Sequence, residues 1–138
     1  MPSVLGLDLG EKRVGVAIAD EVSRVAMPLI TLYIRGRRHL LEQLNPILAE
    51  NKIEKIVVGL PKNLSGEIGP PAKRIMIEVE WYQAQISVPW VFWDERLSTQ
   101  EVERLMLDAD VSPGRRKEIR DQLAAQRILQ NYLDFHRG

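Results

Sequence analysis

The feature that most constrains this chain is an aspartate inside an apolar run, Val4-Leu5-Gly6-Leu7-Asp8-Leu9-Gly10. A run of this kind reads as a strand covered on both faces. An ionised carboxylate there is costly unless it is paired with a cation or coordinates a metal. Two readings follow for Asp8. It is either one half of a structural salt bridge, with Lys12 or Arg13 as partner, or part of a site.

The rest of the chain supplies a frame for that strand, expected over residues 3–9. Gly10-Glu11-Lys12 reads as a tight turn, because the next apolar segment, Arg13 to Ala19, begins at once. In that segment Val14, Val16 and Ile18 share one face. Gly15, Ala17 and Ala19 share the other, onto which something must pack closely. A third strand over 27–34, with Pro28 confining it to an edge, completes an antiparallel meander. Leu40, Leu41, Leu44, Ile47 and Leu48 recur at helical spacing and predict a helix over 37–50, despite Pro46 within it.

A fourth strand follows at 55–60, then a proline- and glycine-rich loop over 61–71, a helix over 70–85 and a fifth strand at 89–93. Ser98-Thr99-Gln100-Glu101 is a capping box opening another helix. Residues 110–114 read as a flexible break, and a last helix is expected over 116–135. The order β-β-β-α-β-α-β-α-α implies a mixed five-stranded α/β sheet: a three-strand antiparallel meander plus two parallel strands, flanked by helices. Such sheets bind ligands at the carboxyl ends of their parallel strands. Asp8, the 59–66 loop and Asp94-Glu95 all fall at such ends. They meet at one edge if strands one, four and five are adjacent.

Length and composition keep this frame modest. The 138 residues suit a single domain, 1–138, and 45% hydrophobic with 28% charged residues is ordinary for a globular protein. Nineteen basic residues balance nineteen acidic ones, so any nucleic-acid binding must rest on local patches. Cysteine is absent, which excludes disulfides, thiol nucleophiles and zinc–thiolate sites. Neither a signal peptide nor a membrane span is apparent, so a cytoplasmic location and no membrane partner are expected.

Asp121 is the second carboxylate of interest. Ala125, Ile128 and Tyr132 follow it at +4, +7 and +11, an inward stripe that carries Asp121 along the buried side of the last helix. If that helix starts at Lys117, Asp121 is also explained as an acid favoured by the helix dipole; a start at Pro113 weakens that account. Carboxylates gathered at one edge suit magnesium, a hard cation that prefers oxygen ligands, and a two-metal clamp on a phosphodiester. Two basic clusters, Arg35, Arg37 and Arg38, and Arg115, Arg116, Lys117 and Arg120, offer a grip on a phosphate backbone or simply solvated faces. The second lies in the segment expected to be flexible. A stacking role for Trp93 is a further option.

These residues resemble a known family. Gly6-Leu7-Asp8-Leu9-Gly10-Glu11-Lys12-Arg13-Val14-Gly15-Val16-Ala17 is similar to the opening motif of the YqgF/RuvX family, a bacterial group described as pre-16S rRNA nucleases or Holliday junction resolvases. Gly59 to Gly66 resembles its second motif, Asp94-Glu95-Arg96-Leu97-Ser98-Thr99 its third, and Lys117 to Leu133 its terminal helix. The resemblance implies an RNase H-like fold and a metal-dependent nuclease using Mg2+ or Mn2+. It assigns Asp8, Glu95 and Asp121 as catalytic and metal-binding, and it is the resemblance that favours Glu95 over Asp94. Lys12, Arg13, Lys62, Asn63, Arg96, Ser98, Arg115, Arg116 and Lys117 are the expected nucleic-acid contacts.

Four functions compete on this basis. The first is processing of the 5′ end of precursor 16S rRNA in ribosome biogenesis. The second is cleavage of four-way DNA junctions, which requires a two-fold dimer for symmetric cutting, whereas the first allows a monomer or a homodimer. A phosphate loop of the sugar-kinase type needs a duplicated domain for which this chain has no room. A non-catalytic nucleic-acid or transcription-associated module would keep the fold alone.

Overall fold

The computed structural model describes residues 2–61, 68–95 and 112–136, and of residue 95 the backbone only. Its elements are β1 (Ser3–Leu9), β2 (Arg13–Asp20), β3 (Met27–Tyr33), α1 (Arg37–Glu50), β4 (Ile53–Pro61), α2 (Pro70–Gln85), β5 (Trp90–Glu95) and α3 (Pro113–Phe135). The strands form one sheet in the order β3-β2-β1-β4-β5. β1 pairs antiparallel with β2, β2 antiparallel with β3, and β1, β4 and β5 run parallel. The expected meander with two added parallel strands is therefore present, with Pro28 on an edge strand.

Strand alternation sorts the side chains into two cores. Leu5, Leu7 and Leu9 of β1 join Val14, Val16, Ile56, Val58 and Leu60 beneath Leu40 and Leu44 of α1 and Ala72, Ile75, Val79 and Tyr82 of α2. On the opposite face, Val4, Ala17, Ala19 and Val57 meet Ala125, Ile128, Leu129, Tyr132 and Leu133 of α3. A strand feeding both cores must be apolar throughout, which is why β1 and β4 read as continuous apolar runs.

The α3 face is built for close approach. A Cβ on Gly6 would lie 2.7 Å from Leu129 Cβ and 3.0 Å from the Ala125 carbonyl oxygen. A Cβ on Gly15 would collide with the Asp121 carbonyl and lie 3.1 Å from its Cα. The small-residue face of the second strand is thus the seat of α3. Two corrections concern this helix. It begins at Pro113, not at 116, so the expected break does not reach residues 113 and 114. Arg115, Arg116 and Lys117 accordingly lie in its first turns rather than in a flexible loop. Proline at the first position suits a helix start, where its missing N–H has no partner to lose. The capping box at 98–101 lies outside the described residues.

Gly15→Ala should destabilise the fold by roughly 1–3 kcal/mol or more, because neither backbone can yield locally. Gly114→Ala, with open space around the new methyl group, should instead stabilise by up to about 1 kcal/mol. Urea denaturation of the two variants reads both signs; equal effects would contradict the packing described.

Candidate functional site

Asp8 leaves β1 on the α3 face, because Leu7 and Leu9 on either side of it belong to the opposite core. Its cross-strand partner is Gly15. The same glycine abuts the backbone of Asp121. Two short acidic side chains, from elements far apart in sequence, are thus brought against one point of β2. Asp121 lies more than two turns from the start of α3 at Pro113. The helix dipole fades within the first turn, so it does not account for this acid.

The electrostatics of the pair are unfavourable by construction. Desolvation raises the Asp8 pKa from 3.8 to about 6, with repulsion from Asp121 adding to the rise and attraction to Arg13 opposing it. No hydrogen bond to the Asp8 carboxylate is found among the described residues. Arg13 Nε instead donates to Asp121 Oδ2 at 2.8 Å, with side chains 30% and 15% exposed respectively. Of the two readings open for Asp8, the salt bridge with Lys12 or Arg13 is not the one found. Arg13 pairs with Asp121, and Lys12 is exposed on the turn. The turn positions Arg13 beside the acids: the Gly10 amide donates to the Arg13 carbonyl at 3.0 Å, closing the hairpin.

Three supporting residues had no distinctive signal in the sequence. Thr31 Oγ1 donates to the Glu118 carbonyl at 2.6 Å, and Tyr33 OH donates to Glu118 Oε1 at 2.6 Å. Both anchor α3 one turn before Asp121. Alternate positions of an edge strand facing a helix are the pattern to look for, but Thr and Tyr are common in strands for other reasons.

The remaining expected site residues divide by location. β4 and β5 align Leu60 with Asp94 and Pro61 with residue 95. Val91 and Trp93 pack on the α3 side, while Trp90 belongs to the other core. Period-two alternation therefore puts Asp94 on the same face as Trp90, away from α3. Arg115 and Lys117 are exposed and Arg116 is partly buried. Lys62, Asn63, Arg96 and Ser98 lie outside the described residues. Among the described residues, no three acidic or histidine side chains gather; the close pair is Asp8 and Asp121. In the other basic cluster Arg37 is committed internally, to Glu78 at 3.0 Å and over the Trp81 ring. His39 accepts a hydrogen bond from the Arg35 amide at 3.0 Å. Trp93 packs against Tyr132 and Phe135 rather than standing free.

The donor set fits a hard divalent cation. A desolvated carboxylate with no hydrogen-bond donor, facing a second carboxylate, is the arrangement in which positive charge lowers the energy most.

A family model described as "RuvX: Holliday junction resolvase" matches residues 2–135. The chain belongs to the RuvX family. It is 43% identical over 132 residues to a Clostridioides difficile protein named "Putative pre-16S rRNA nuclease", covering 96% of this chain and 94% of that protein. It is 45% identical over 133 residues to a Listeria monocytogenes protein of the same name, covering 95% and 96%. Among solved structures it resembles Thermus thermophilus RuvC, with TM-score 0.56, 15% identity and 95% and 93% coverage. It also resembles the Fowlpox virus resolvase solved with Holliday junction DNA, with TM-score 0.53, 10% identity and 96% and 97% coverage. At such identities the likeness is one of fold, the RNase H-like fold of the RuvC resolvases. Among the described residues of this RuvX-family chain, no helix is long and apolar enough to cross a membrane.

The Asp8 shift has a thermodynamic consequence in metal-free protein. The folded state binds the proton more tightly than the unfolded chain. The group's penalty is therefore absent below about pH 4, grows as pH rises to about 6, and is complete above that. Its ceiling is about 3 kcal/mol. Asp8→Asn should remove that slope and raise the melting temperature at pH 7.5 in the presence of a chelator. A variant melting lower than the parent, with the slope intact, would show that Asp8 is not the strained group.

Proposed function

We propose that this chain is a divalent-metal-dependent nuclease, using magnesium or manganese to hydrolyse phosphodiester bonds in structured nucleic acid. Its proposed substrate is the 5′ end of precursor 16S rRNA, and its proposed location the cytoplasm. The observation that carries the reading is the meeting of Asp8 and Asp121 at Gly15, with no hydrogen-bond donor for Asp8 among the described residues. Asp8, Asp121 and Glu95 are the proposed metal-binding and catalytic carboxylates. Strand parity supports Glu95 over Asp94 as the third. When bound, the metal supplies positive charge to the scissile phosphate and an activated water for in-line displacement.

The chain's own residues then have separate tasks. The carboxylates concentrate positive charge at the rim of the sheet, where a polyanionic backbone would otherwise be repelled. Lys12 and Arg13 flank them on the β1–β2 hairpin. Lys117 lies one turn before Asp121 on the same side of α3, and Arg115 and Arg116 extend the basic surface toward the helix start. These groups act through phosphate contacts that are independent of sequence and sensitive to salt. Lys62, Asn63, Arg96 and Ser98 are proposed contacts on the strength of the motifs alone.

Relatives that match nearly end to end and carry the rRNA nuclease name support the RNA substrate. Four-way DNA is the second reading, supported by the family's description and by neighbours of the same fold that act on junctions. That reading calls for a homodimer; the first is compatible with a monomer.

Incubation with Mn2+ and either a precursor 16S rRNA fragment or a synthetic four-way junction tests both. Asp8→Asn, Glu95→Gln and Asp121→Asn should each lower RNA cleavage at least about 100-fold, and a chelator should abolish it. Undiminished cutting by Asp8→Asn would remove the site; cutting of the junction alone would transfer the reading to DNA.

A further inference from the structure

We propose that Arg13 is a built-in stand-in cation for Asp121, and that its release couples metal loading to nucleic-acid binding. The inference rests on the nuclease reading above and deepens it. Arg13 Nε holds Asp121 Oδ2 at 2.8 Å, and this is the hydrogen bond the guanidinium makes among the described residues. A guanidinium has five N–H donors in a planar fork. One is used here, which leaves the Nη amines as donors for a further partner. The arginine side chain is twice as exposed as the carboxylate it grips, so an incoming anion can reach it. The positive charge also acts on Asp8, whose pKa it lowers against burial and repulsion. Arg13 thus serves both acids in the absence of metal.

The pair can open without moving the helix. Asp121 is held through its backbone by the contact with Gly15. One turn earlier, Thr31 fixes the Glu118 carbonyl and Tyr33 fixes the Glu118 carboxylate, each at 2.6 Å. None of these contacts involves Arg13. The backbone that carries the carboxylate therefore stays in place if the guanidinium swings away, so release of Arg13 leaves the frame intact.

A divalent cation at Asp8 and Asp121 repels that guanidinium, so metal binding alone must drive a charged group off its partner. A phosphate at the mouth offers the guanidinium a new anionic partner in the bidentate geometry it favours. Each ligand then makes room for the other. Coupling of this kind is reciprocal, so nucleic acid must tighten metal binding by the factor by which metal tightens nucleic-acid binding. The result is an enzyme that holds metal weakly until a phosphate backbone is present.

Isothermal titration of Mn2+ into the intact protein tests this, alone and with a hairpin RNA verified to remain uncut during the titration. The wild type should bind Mn2+ at least about fivefold more tightly with the hairpin. Arg13→Gln should bind Mn2+ more tightly than wild type without RNA and gain little from adding it. Arg13→Lys, which keeps the charge, should return the RNA-free affinity toward that of the wild type. Weaker Mn2+ binding by Arg13→Gln, or an undiminished response to RNA, would overturn the proposal while leaving the nuclease reading intact. A wild type that binds no Mn2+ under either condition would overturn both. Thermal melts of Arg13→Gln check that the frame survives.

Discussion

The close seating of α3 on the glycine face of β1 and β2 is the contact on which the site depends. Aspartate has a single methylene between backbone and carboxylate, so two aspartates on facing elements meet only if their backbones nearly touch. Gly6 allows Leu129 and Ala125 to press onto β1, and Gly15 allows the Asp121 backbone to rest on β2. Any Cβ at position 15 would widen that gap and separate the carboxylates. The alanines at 17, 124 and 125 continue the same close fit to either side. Glycine serves here by its missing side chain rather than by any backbone freedom, since Gly15 lies in a regular strand.

The electrostatic cost of the arrangement falls on β1, and β1 also carries the means to offset it. Leu5 and Leu7 are fully buried and Leu9 nearly so in the core under α1 and α2. Each contributes about 1.5–3 kcal/mol through burial, against a ceiling near 3 kcal/mol for the Asp8 shift. Alternation makes this possible, because the face that secures the strand is not the face that carries the acid. The sheet therefore divides its labour by side: hydrophobic burial beneath α1 and α2, strained chemistry beneath α3.

Most of that division was legible in the sequence. Element order, the antiparallel meander, the small-residue face of the second strand and the three adjacent parallel strands follow from periodicity and topology, which depend on local pattern. The inward stripe 121, 125, 128 and 132 was likewise readable. The errors have a common cause. The start of α3 was set three residues late because Ser112-Pro113-Gly114 carries both turn and helix-start signals, and only packing decides between them. The salt bridge offered as one alternative for Asp8 drew on cations near it in sequence, whereas the acid that Arg13 holds lies 108 residues away. The Thr31 and Tyr33 anchors on Glu118 are invisible for the same reason. Pattern reports which face a residue is on, not which distant group it meets there. The register of β5 adds what spacing leaves open, since it sets Asp94 on the face of Trp90, opposite Val91 and Trp93.

Sequence distance also has a physical consequence for the site. Asp8 and Arg13 come from one hairpin at the start of the chain, and they are neighbours even in a partly formed sheet. Asp121 joins them only when α3 docks on the sheet. A cation that needs both carboxylates therefore recognises the docked state and not the unfolded chain, and by mass action it stabilises that state in proportion to its occupancy. The repulsion between Asp8 and Asp121 acts in the opposite direction when no cation is bound, with the Arg13 guanidinium as the intermediate case. The docking of α3 and the charge state at the rim of the sheet are thus a single coupled equilibrium, and Gly15 is the point at which the two are joined.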